Sequence, residues 1–401
     1  MVEENSSTPG IAVIIGTVAA GVILNVTIRK VTGFKRDAKG SSFQSTVSGS
    51  VSILSNKDSV LKRDGVKASI EGYENLYEGA RESVGSCSKD ESIKAREREY
   101  KTMVNSFYDL VTDFYEWGWG QSFHFAPRFV GETFLESIKR AEYFLALKMG
   151  IGPDSKVLDV GCGVGGPMRN IQLFTGADIT GVTINEYQVK VGNTYCAQKD
   201  IADKCRLMQG DFQNITKLVE KESFDAAYQI EATCHSPDRV VTFSGIADCL
   251  KKGGVFVGYE WVVLPEKGYD ANNADHVRIK EGIEVGNSLP TLATPQEIVK
   301  ALEDSGFEVL EAYDANRNVH SEQQVPWYAT LKGSYSLQGF RMTHLGRCCT
   351  HALVTTLETL RIAPNGTTKV SSLLNATALD LVEGGEKELF TPSFFYLARK
   401  K

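Results

Sequence analysis

Hydrophobic and polar positions follow different patterns along the chain, and the first distinct pattern lies near the N-terminus. Residues 11–28 are 18 consecutive residues without a charge, and most of them are apolar. As a helix this run would measure about 27 Å, close to the thickness of a bilayer core. Acids precede the run and basic residues follow it, which places the remaining chain on the cytosolic side. We predict a transmembrane anchor over residues 1–35; a signal peptide and a buried core helix are the alternatives.

The next part of the chain changes from polar to amphipathic. Residues 36–99 are polar and begin with a Ser-rich stretch, which predicts a linker. From residue 100, apolar side chains recur at spacings of three and four, which predicts a helix. Residues 115–125 are rich in aromatic residues and are interpreted as a flap, and a further helix is predicted over residues 132–149.

From residue 156 the hydrophobic period becomes that of alternating strands and helices. Short apolar segments such as VLDV, DITGVTI, FDAAYQI and GGVFVGYEW are separated by helical stretches. This alternation predicts an α/β fold with a doubly wound, mostly parallel sheet. Within residues 285–401, helical patterns occur near residues 295–305 and 347–361, and the ending FFYLARK predicts a late strand.

Composition narrows the class of protein without changing this outline. The 401 residues carry a formal net charge of −6, and 42% of them are hydrophobic and 23% charged. These values exclude a mostly disordered chain and a polytopic membrane protein, and the acidity argues against a nucleic-acid partner. The eight cysteines form no CxxC pair, which indicates reduced thiols in a cytosol-facing domain. Neither they nor the six histidines favour a metal site.

A glycine-rich turn between a predicted strand and a predicted helix is the first candidate site. Gly161, Gly163 and Gly165 would let the backbone turn tightly and approach a ligand at the helix N-terminus. Asp159 precedes them, where a carboxylate suits the cationic end of S-adenosylmethionine and would repel a pyrophosphate. The acid that a dinucleotide site requires about 20 residues later is absent from the sequence. Asp211 closes the third strand and suits an adenine amino group, so S-adenosylmethionine is favoured over NAD or FAD.

Aromatic and acidic residues cluster in three further segments. Residues 115–125 contain five aromatic rings and a histidine, and residues 228–238 and 258–263 follow or end predicted strands. Aromatic faces stabilise a cation, and a carboxylate or histidine accepts a proton. A plain aromatic core is the alternative interpretation. The candidate catalytic residues are Tyr115, Glu116, Trp117, Trp119, Phe123, His124, Glu231, Tyr259, Glu260 and Trp261.

Four sequence blocks together resemble the sterol 24-C-methyltransferase family. They are YEWGWGQSFHF (115–125), VLDVGCGVGGPMR (157–169), YQIEATCHSPD (228–238) and GYEWVV (258–263). The resemblance implies a Rossmann-like class I methyltransferase core over residues 100–284, followed by a C-terminal sterol methyltransferase region over residues 285–401. It also implies S-adenosylmethionine as co-substrate, no metal, and a Δ24 or 24-methylene sterol as acceptor. The implied cofactor-binding residues are Asp159, Gly161, Gly163, Gly165, Thr183, Ile184, Gln188, Asp211 and Phe212.

The resemblance also implies the course of the reaction. The C24=C25 double bond of the sterol side chain attacks the sulfonium methyl group, and a cation forms at C25. A hydride then moves from C24 to C25, and a base removes a proton from the new methyl carbon. The product is a 24-methylene (or 24-ethylidene) sterol. Close placement of a weak alkene nucleophile is worth several kcal/mol of the barrier.

Several alternatives stay open at the level of sequence. Features of the first and the second sterol methylation both occur, so the sterol is not assigned. The acceptor could instead be another lipid or a prenyl compound, and two further hypotheses are a non-catalytic sterol-binding membrane protein and a nicotinamide oxidoreductase. With the predicted anchor, we expect a single-pass protein of the endoplasmic reticulum membrane with membrane lipid as a partner and its catalytic domain in the cytosol. A homo-oligomer is compatible with the resemblance.

Overall fold

A seven-stranded sheet lies at the centre of the fold. The computed structural model describes residues 65–75, 77, 89–316, 323–333, 340–361 and 363–401. The strands are β1 Arg128–Phe129, β2 Lys156–Val160, β3 Asp178–Thr183, β4 Cys205–Gln209, β5 Phe224–Ile230, β6 Leu250–Val263, β7 Phe307–Asp314, β8 Gln324–Val325 and β9 Phe390–Lys400. The sheet order is β4-β3-β2-β5-β6-β9-β7, and β1 pairs with β8 in a separate two-stranded sheet. The first five strands of the large sheet are parallel, whereas β9 is antiparallel to β6 and β7.

The described α-helices are α1 Gly65–Asn75, α2 Lys89–Arg98, α3 Tyr100–Trp119, α4 Phe134–Met149, α5 Gly166–Thr175, α6 Glu186–Gln198, α7 Arg239–Cys249, α8 Ala274–Gly286, α9 Pro295–Asp304, α10 Ala329–Lys332, α11 His344–Thr359 and α12 Thr367–Glu386. Of these, α5, α6 and α7 connect neighbouring parallel strands, because a parallel pair needs a long crossover. The predicted doubly wound, mostly parallel α/β fold is therefore confirmed.

Two apolar clusters cover the two faces of the sheet. Val157 of β2 belongs to the first, with Leu145 of α4, and the next residue, Leu158, belongs to the second, with Phe243 of α7 and Leu302 of α9. This alternation follows from the period of two along a strand. Because both faces are covered, the ends of the parallel strands are left as the place where a ligand can approach the sheet.

Side-chain caps define where the helices after the strands begin. The Asn185 side chain accepts a hydrogen bond from the Gln188 amide at 3.0 Å and starts α6, and the Asp238 side chain accepts one from the Val241 amide at 3.0 Å and starts α7. Such caps satisfy amide groups that have no partner within the helix. They place the first turns of α6 and α7 at the carboxyl ends of β3 and β5.

A third apolar cluster lies beyond the carboxyl end of β6 and is built mainly by the C-terminal third of the chain. It contains Trp261 of β6, Ile283 of α8, Leu381 of α12 and Phe390 of β9. Strand β6 continues past β5, since its last pairing with β5 joins Tyr259 to Ile230. Trp261 and Val263, which lie after this point, therefore belong to the third cluster, while Val262 between them belongs to the second.

The structure modifies the predicted boundaries at the N-terminal side. Helices α1 and α2 lie within residues 36–99, which the sequence indicated as a polar linker, and Tyr73 of α1 packs on Phe107 of α3 with ring centroids 5.7 Å apart. Helix α3 continues to Trp119, so the first half of the aromatic flap is helical. The predicted anchor over residues 1–35 lies outside the described residues. Among the described helices, none is long and apolar enough to cross a membrane.

Candidate active site

The glycine-rich turn joins β2 to α5 and has the conformation that the sequence indicated. Gly161 has a φ of +82°, and a Cβ atom built on it would lie 2.3 Å from the Cβ atom of Ala232. Gly165 is the N-cap of α5 and has a φ of +73°. Side chains at these two positions would be strained, and one at Gly161 would also clash. The turn therefore keeps an open cradle at the N-terminus of α5, which favours a polar or charged ligand group.

Asp159 lies at the end of β2 directly below this turn. Its side chain is buried, and the Tyr228 hydroxyl donates a hydrogen bond to its Oδ2 atom at 2.7 Å. Burial raises the pKa of Asp159 to about 7, although the Tyr228 hydroxyl acts in the opposite direction. A positively charged ligand group would stabilise this buried carboxylate, so the position is suited to one.

The predicted cofactor residues lie around one cleft at the carboxyl ends of the parallel strands. The cleft has a volume of about 830 Å³, counting the space open to solvent. Of the predicted set, the residues lining it are Asp159, Gly161, Gly163, Thr183, Ile184, Gln188, Asp211 and Phe212. Gly165 supports the turn without lining the cleft. The Thr183 hydroxyl donates to the Gln188 side-chain oxygen at 2.8 Å, and the Gln188 side-chain nitrogen donates to the Thr112 hydroxyl at 3.3 Å.

Asp211 marks the opposite end of this cleft and is held by the first turn of α3. The Tyr100 hydroxyl donates a hydrogen bond to it, and the Lys101 ammonium group lies 2.7 Å from its Oδ2 atom. Partial burial raises the pKa of Asp211, but the hydrogen bonds from Lys101 and Tyr100 outweigh this effect and lower it overall. Asp211 is therefore ionised at neutral pH. An acid at each end of a glycine-lined cleft fits a ligand with a cationic amino-acid part and an adenine amino group.

A second, mostly apolar pocket adjoins the cleft. Its volume is about 1040 Å³, counting the space open to solvent. Aromatic residues of α3, the segment after it and β6 form one side: Tyr115, Trp119, Phe123, Phe125 and Trp261. The C-terminal helices form the other side, with Leu331, Met342, Arg347, Thr350, Ser371, Leu374, Asn375, Thr377, Ala378 and Leu381. The cleft and the apolar pocket share Phe123, His124 and Glu231, so the two cavities meet at these three side chains.

Glu231 stands at this junction in a strained backbone conformation. Its φ is +55°, a value that non-glycine residues rarely adopt and that is common at functional sites. The Phe125 amide donates a hydrogen bond to its Oε1 atom at 2.7 Å. Burial raises the pKa of Glu231 to about 8, while the nearby His124, the Trp261 indole and the Phe125 amide act in the opposite direction. The carboxyl group therefore exchanges its proton near neutral pH.

His124 faces a different buried acid. Its Nε2 atom lies 3.3 Å from Oε1 of Glu142, and its Nδ1 atom lies 2.6 Å from the carbonyl oxygen of Phe125. Burial lowers the pKa of His124, but the hydrogen bond and the charge of Glu142 outweigh burial and raise it. Both ring nitrogens therefore donate in the protonated ring. Glu142 is fixed in turn by the Ser122 hydroxyl at 2.7 Å and by the Asn170 side chain at 2.7 Å.

Three predicted catalytic residues line neither the cleft nor the apolar pocket. Glu116 accepts a hydrogen bond from the Tyr195 hydroxyl at 2.7 Å. Tyr259 packs on Phe395 in the core below α4, since β6 is still paired with β5 there. The Glu260 side chain is buried and accepts hydrogen bonds from Thr233 and from the Trp261 amide.

Of the other seven predicted catalytic residues, six line the apolar pocket, and the side chain of the seventh is not described. Trp117 lies in α3, but its side chain is outside the described part of the structure. The six residues at the pocket are Tyr115, Trp119, Phe123, His124, Glu231 and Trp261.

Several residues of the site were not identified from the sequence. Glu142 lies among apolar positions of a predicted helix. An isolated acid at such a position was the sequence feature that could have identified it. Tyr228 is one residue of an apolar strand, and its role depends on β5 pairing beside β2. The roles of Thr112 and of the pocket-lining positions of α12 depend on how helices that are distant in the sequence pack together. Within the described ranges, no group of three or more His, Cys, Asp or Glu side chains could hold a metal ion.

Comparison with known proteins supports the same interpretation. Residues 158–258 match the model of a methyltransferase domain, and residues 337–401 match the model of the sterol methyltransferase C-terminal region. The chain is 43% identical to cycloartenol-C-24-methyltransferase 1 of Oryza sativa subsp. japonica, over 88% of this chain and 98% of the relative. It is 41% identical to the sterol 24-C-methyltransferase of Saccharomyces cerevisiae, over 79% of this chain and 82% of the relative.

Solved structures show the same fold at low sequence identity. A mycolic acid cyclopropane synthase complexed with S-adenosylhomocysteine aligns with a TM-score of 0.58 and 16% identity, over 74% of this chain and 97% of that chain. Such a likeness concerns the fold alone. The sequence relatives cover most of both chains, and on that basis the chain belongs to the sterol 24-C-methyltransferase family.

Proposed function

We propose that this protein transfers a methyl group from S-adenosylmethionine to C24 of a sterol side chain, as an enzyme of sterol biosynthesis. The observation that carries the proposal is the junction of the cofactor cleft and the apolar pocket at Phe123, His124 and Glu231. Two substrates that react with each other must meet at one point, and this junction provides it. The names of the relatives supply the acceptor class and the carbon that is methylated.

The residues of the cleft fit S-adenosylmethionine. Asp159 would hold the cationic methionine part, the backbone at Gly161 and Gly163 would face it, and Asp211 would accept from the adenine amino group. When bound, S-adenosylmethionine supplies an activated methyl group. The protein aligns this group with the apolar pocket, and such alignment lowers the barrier by replacing a bimolecular encounter with a fixed geometry.

The apolar pocket fits the tail of a sterol and excludes water from the reacting carbons. An electron-deficient carbon in this pocket faces aromatic rings, whose π faces stabilise a cation without reacting with it. Tyr115 and Phe123 meet edge to face with ring centroids 5.5 Å apart, and Trp261 of β6 lines the same pocket. Aromatic rings do not add to the cation, whereas a water molecule bound in their place would attack it.

Of the predicted bases that line the pocket, Glu231 is the one suited to remove the final proton. Both nitrogens of His124 are engaged, one by Glu142 and one by a backbone carbonyl, so His124 has no free lone pair for the substrate. Glu231 has a pKa near 8 and lies on the pocket wall. A carboxylate of this basicity is an effective acceptor near neutral pH. His124 acts as a positioning residue, since its charge beside Glu231 favours the ionised carboxylate.

Product analysis tests this function directly. The purified enzyme is incubated with labelled S-adenosylmethionine and, in separate reactions, with cycloartenol, zymosterol, lanosterol and 24-methylenelophenol. We expect a 24-methylene product from a Δ24 sterol or a 24-ethylidene product from a 24-methylene sterol, identified by mass spectrometry. Absence of any methylated sterol, or faster methylation of a prenyl or fatty-acyl acceptor, would overturn the proposal. Sterol binding without turnover would indicate a binding protein instead.

We also propose that the charge-free run over residues 11–28 anchors the enzyme in the endoplasmic reticulum membrane, with the catalytic domain in the cytosol. The sequence of the run and the basic residues after it support this. Deletion of residues 1–35 should shift the protein from the membrane fraction to the soluble fraction, while activity on detergent-solubilised sterol stays within about twofold. Retention of the deleted form on membranes would contradict the anchor.

A further inference from the structure

Helix α11 presents an uncharged, largely apolar surface to solvent. Leu345 is 50% exposed and Leu353 is 45% exposed, and Leu360 just after the helix is 63% exposed. We call six of the exposed residues the α11 stripe: Leu345, Cys348, Ala352, Leu353, Thr356 and Leu360. The other exposed residues of the helix are His344, Thr355 and Thr359. The members of the stripe recur at spacings of three and four, so they lie along one side of the helix. Amphipathic helices of soluble domains normally turn such a side toward the core.

The opposite side of the same helix forms part of the apolar pocket. Arg347 and Thr350 line the pocket, and Gly346 is buried. A helix with its side chains is about 10 Å across. The α11 stripe is therefore separated from the proposed sterol site by the thickness of one helix.

The C-terminal end of α1 lies next to the start of α12, the helix that follows α11 in the chain. Glu74 of α1 forms an ion pair with Lys369 in the first turn of α12, with 3.4 Å between the Glu74 Oε2 atom and the Lys369 Nζ atom. The carboxyl group of Glu358, in the last turn of α11, accepts hydrogen bonds from the amides of Gly366 at 2.9 Å and Thr368 at 2.6 Å. The end of α11, the start of α12 and helix α1 thus lie together. The chain before α1 carries the charge-free run over residues 11–28.

We propose that the α11 stripe docks on the surface of a lipid bilayer and that the sterol passes from the bilayer past α11 into the apolar pocket. The proposal rests on the proposed function, because it assumes that the pocket takes a sterol. None of the six stripe residues carries a charge, so the stripe suits the acyl boundary of a zwitterionic bilayer. Burying exposed leucine side chains in that boundary is favourable, because it removes apolar surface from water. Direct transfer also avoids the passage of an apolar substrate through water.

The test uses the full-length chain with Leu345→Glu and Leu353→Glu combined. The matched control combines Leu147→Glu and Leu173→Glu, which change exposed leucines on α4 and α5 that are 69% and 55% exposed. Sterol is supplied either in phosphatidylcholine vesicles or as a cyclodextrin complex without vesicles. We expect kcat/KM on vesicle sterol to fall at least about tenfold in the α11 variant. Its kcat/KM on cyclodextrin sterol, and both values of the control, should stay within about twofold.

A lipid-contact measurement keeps the proposal testable without turnover. Leu353→Trp should gain fluorescence that is quenched by vesicles of brominated phosphatidylcholine, and Leu173→Trp should gain fluorescence that is not. Equal kcat/KM on vesicle sterol for the α11 variant and the wild type would overturn the proposal, and so would an equal loss from both sterol sources. A dimer that the glutamate variant converts to a monomer, without quenching of Leu353→Trp, would assign the stripe to a second copy instead. Quenching together with no methylation by the wild type would contradict the proposed function alone.

Discussion

The cofactor cleft and the apolar pocket share three residues, yet the chain builds them in different ways. The cleft comes mainly from one continuous region, in which strands end and helices begin between residues 159 and 235. The apolar pocket is assembled from α3, β6, the loop after α8 and the helices α10 to α12, which are far apart in the sequence. The cleft thus depends on local backbone conformation, and the pocket depends on packing between distant elements.

This difference predicts how the two regions respond to change. A substitution in the cleft should alter the affinity for S-adenosylmethionine, whereas a substitution in the pocket should alter turnover of the sterol. Glu231 belongs to both and lies where the reacting groups meet, so it should affect the chemical step most strongly. The following predictions test that division, beginning with the largest effect.

Glu231→Gln should lower kcat about a thousandfold while the Kd for S-adenosylmethionine changes less than about threefold, because the amide cannot accept the final proton. Single-turnover rates and calorimetric titration measure the two quantities. Glu116→Gln is the matched control, since Glu116 lies outside both cavities, and it should keep near wild-type turnover. A similar loss in both variants would contradict the assignment of Glu231.

Because Glu231 must be ionised to accept a proton, we expect turnover of the sterol to depend on pH. The pKa of Glu231 is raised to about 8, so the ionised base becomes more abundant as the pH rises through this value. The value of kcat/KM for the sterol should therefore rise about tenfold per pH unit below pH 8 and level off above it. In Glu231→Gln this limb should disappear. An unchanged limb in that variant would assign it to another group.

Gly161→Ala should weaken S-adenosylmethionine binding about a hundredfold, because the new Cβ atom would overlap Ala232 and displace the turn. Gly253→Ala is a closely matched control. Gly253 also has a positive φ of +76°, but no atom of the described residues lies within 4 Å of its Cβ position. Calorimetric Kd values that change equally in the two variants would show that conformational strain, and not the close contact, is responsible.

Trp261→Leu should lower kcat/KM for the sterol about thirtyfold with little change in the affinity for S-adenosylmethionine, because a pocket wall and a π face are lost. Trp327→Leu serves as the control. Trp327 is similarly buried and packs on Phe125, but it is not among the residues lining the pocket. Steady-state kinetics and thermal unfolding separate a pocket effect from a general loss of stability. Equal losses of kcat/KM in the two variants would contradict a specific role of Trp261 in the pocket.

The smallest expected effect is on the affinity for S-adenosylmethionine; it depends on Asp159 and concerns the cleft alone. The pKa of Asp159 is raised to about 7, so the carboxylate that would face a cationic ligand is lost as the pH falls below this value. The affinity for S-adenosylmethionine should rise about tenfold between pH 6 and pH 8 and then level off. Asp159→Asn should bind more weakly and show no such slope. A slope that persists in the variant would contradict this role.

The two regions also differ in how much the sequence reveals. The glycine turn, Asp159 and Asp211 are recognisable because each occupies a defined position at a strand end, where the backbone itself sets the geometry. Tyr259 and Glu260 were assigned to the site because they end a strand, but β6 extends past β5 and only Trp261 reaches the pocket. The positions of Ser371 and Asn375 depend on how α12 packs on α8 and α11. No local pattern contains that information, since α8 lies more than 80 positions before α12 and α11 is a separate helix.

Helix α3 has one further consequence, because it borders both cavities. Tyr100 and Thr112 of this helix contact cofactor-site residues, and Tyr115 and Trp119 line the apolar pocket. A displacement of this helix to release one molecule necessarily changes the contacts of the other. We therefore expect the two ligands to be thermodynamically linked, so that any factor by which sterol tightens S-adenosylmethionine binding applies equally in reverse. For the catalytic cycle, this means that departure of the demethylated cofactor and departure of the methylated sterol are not independent events.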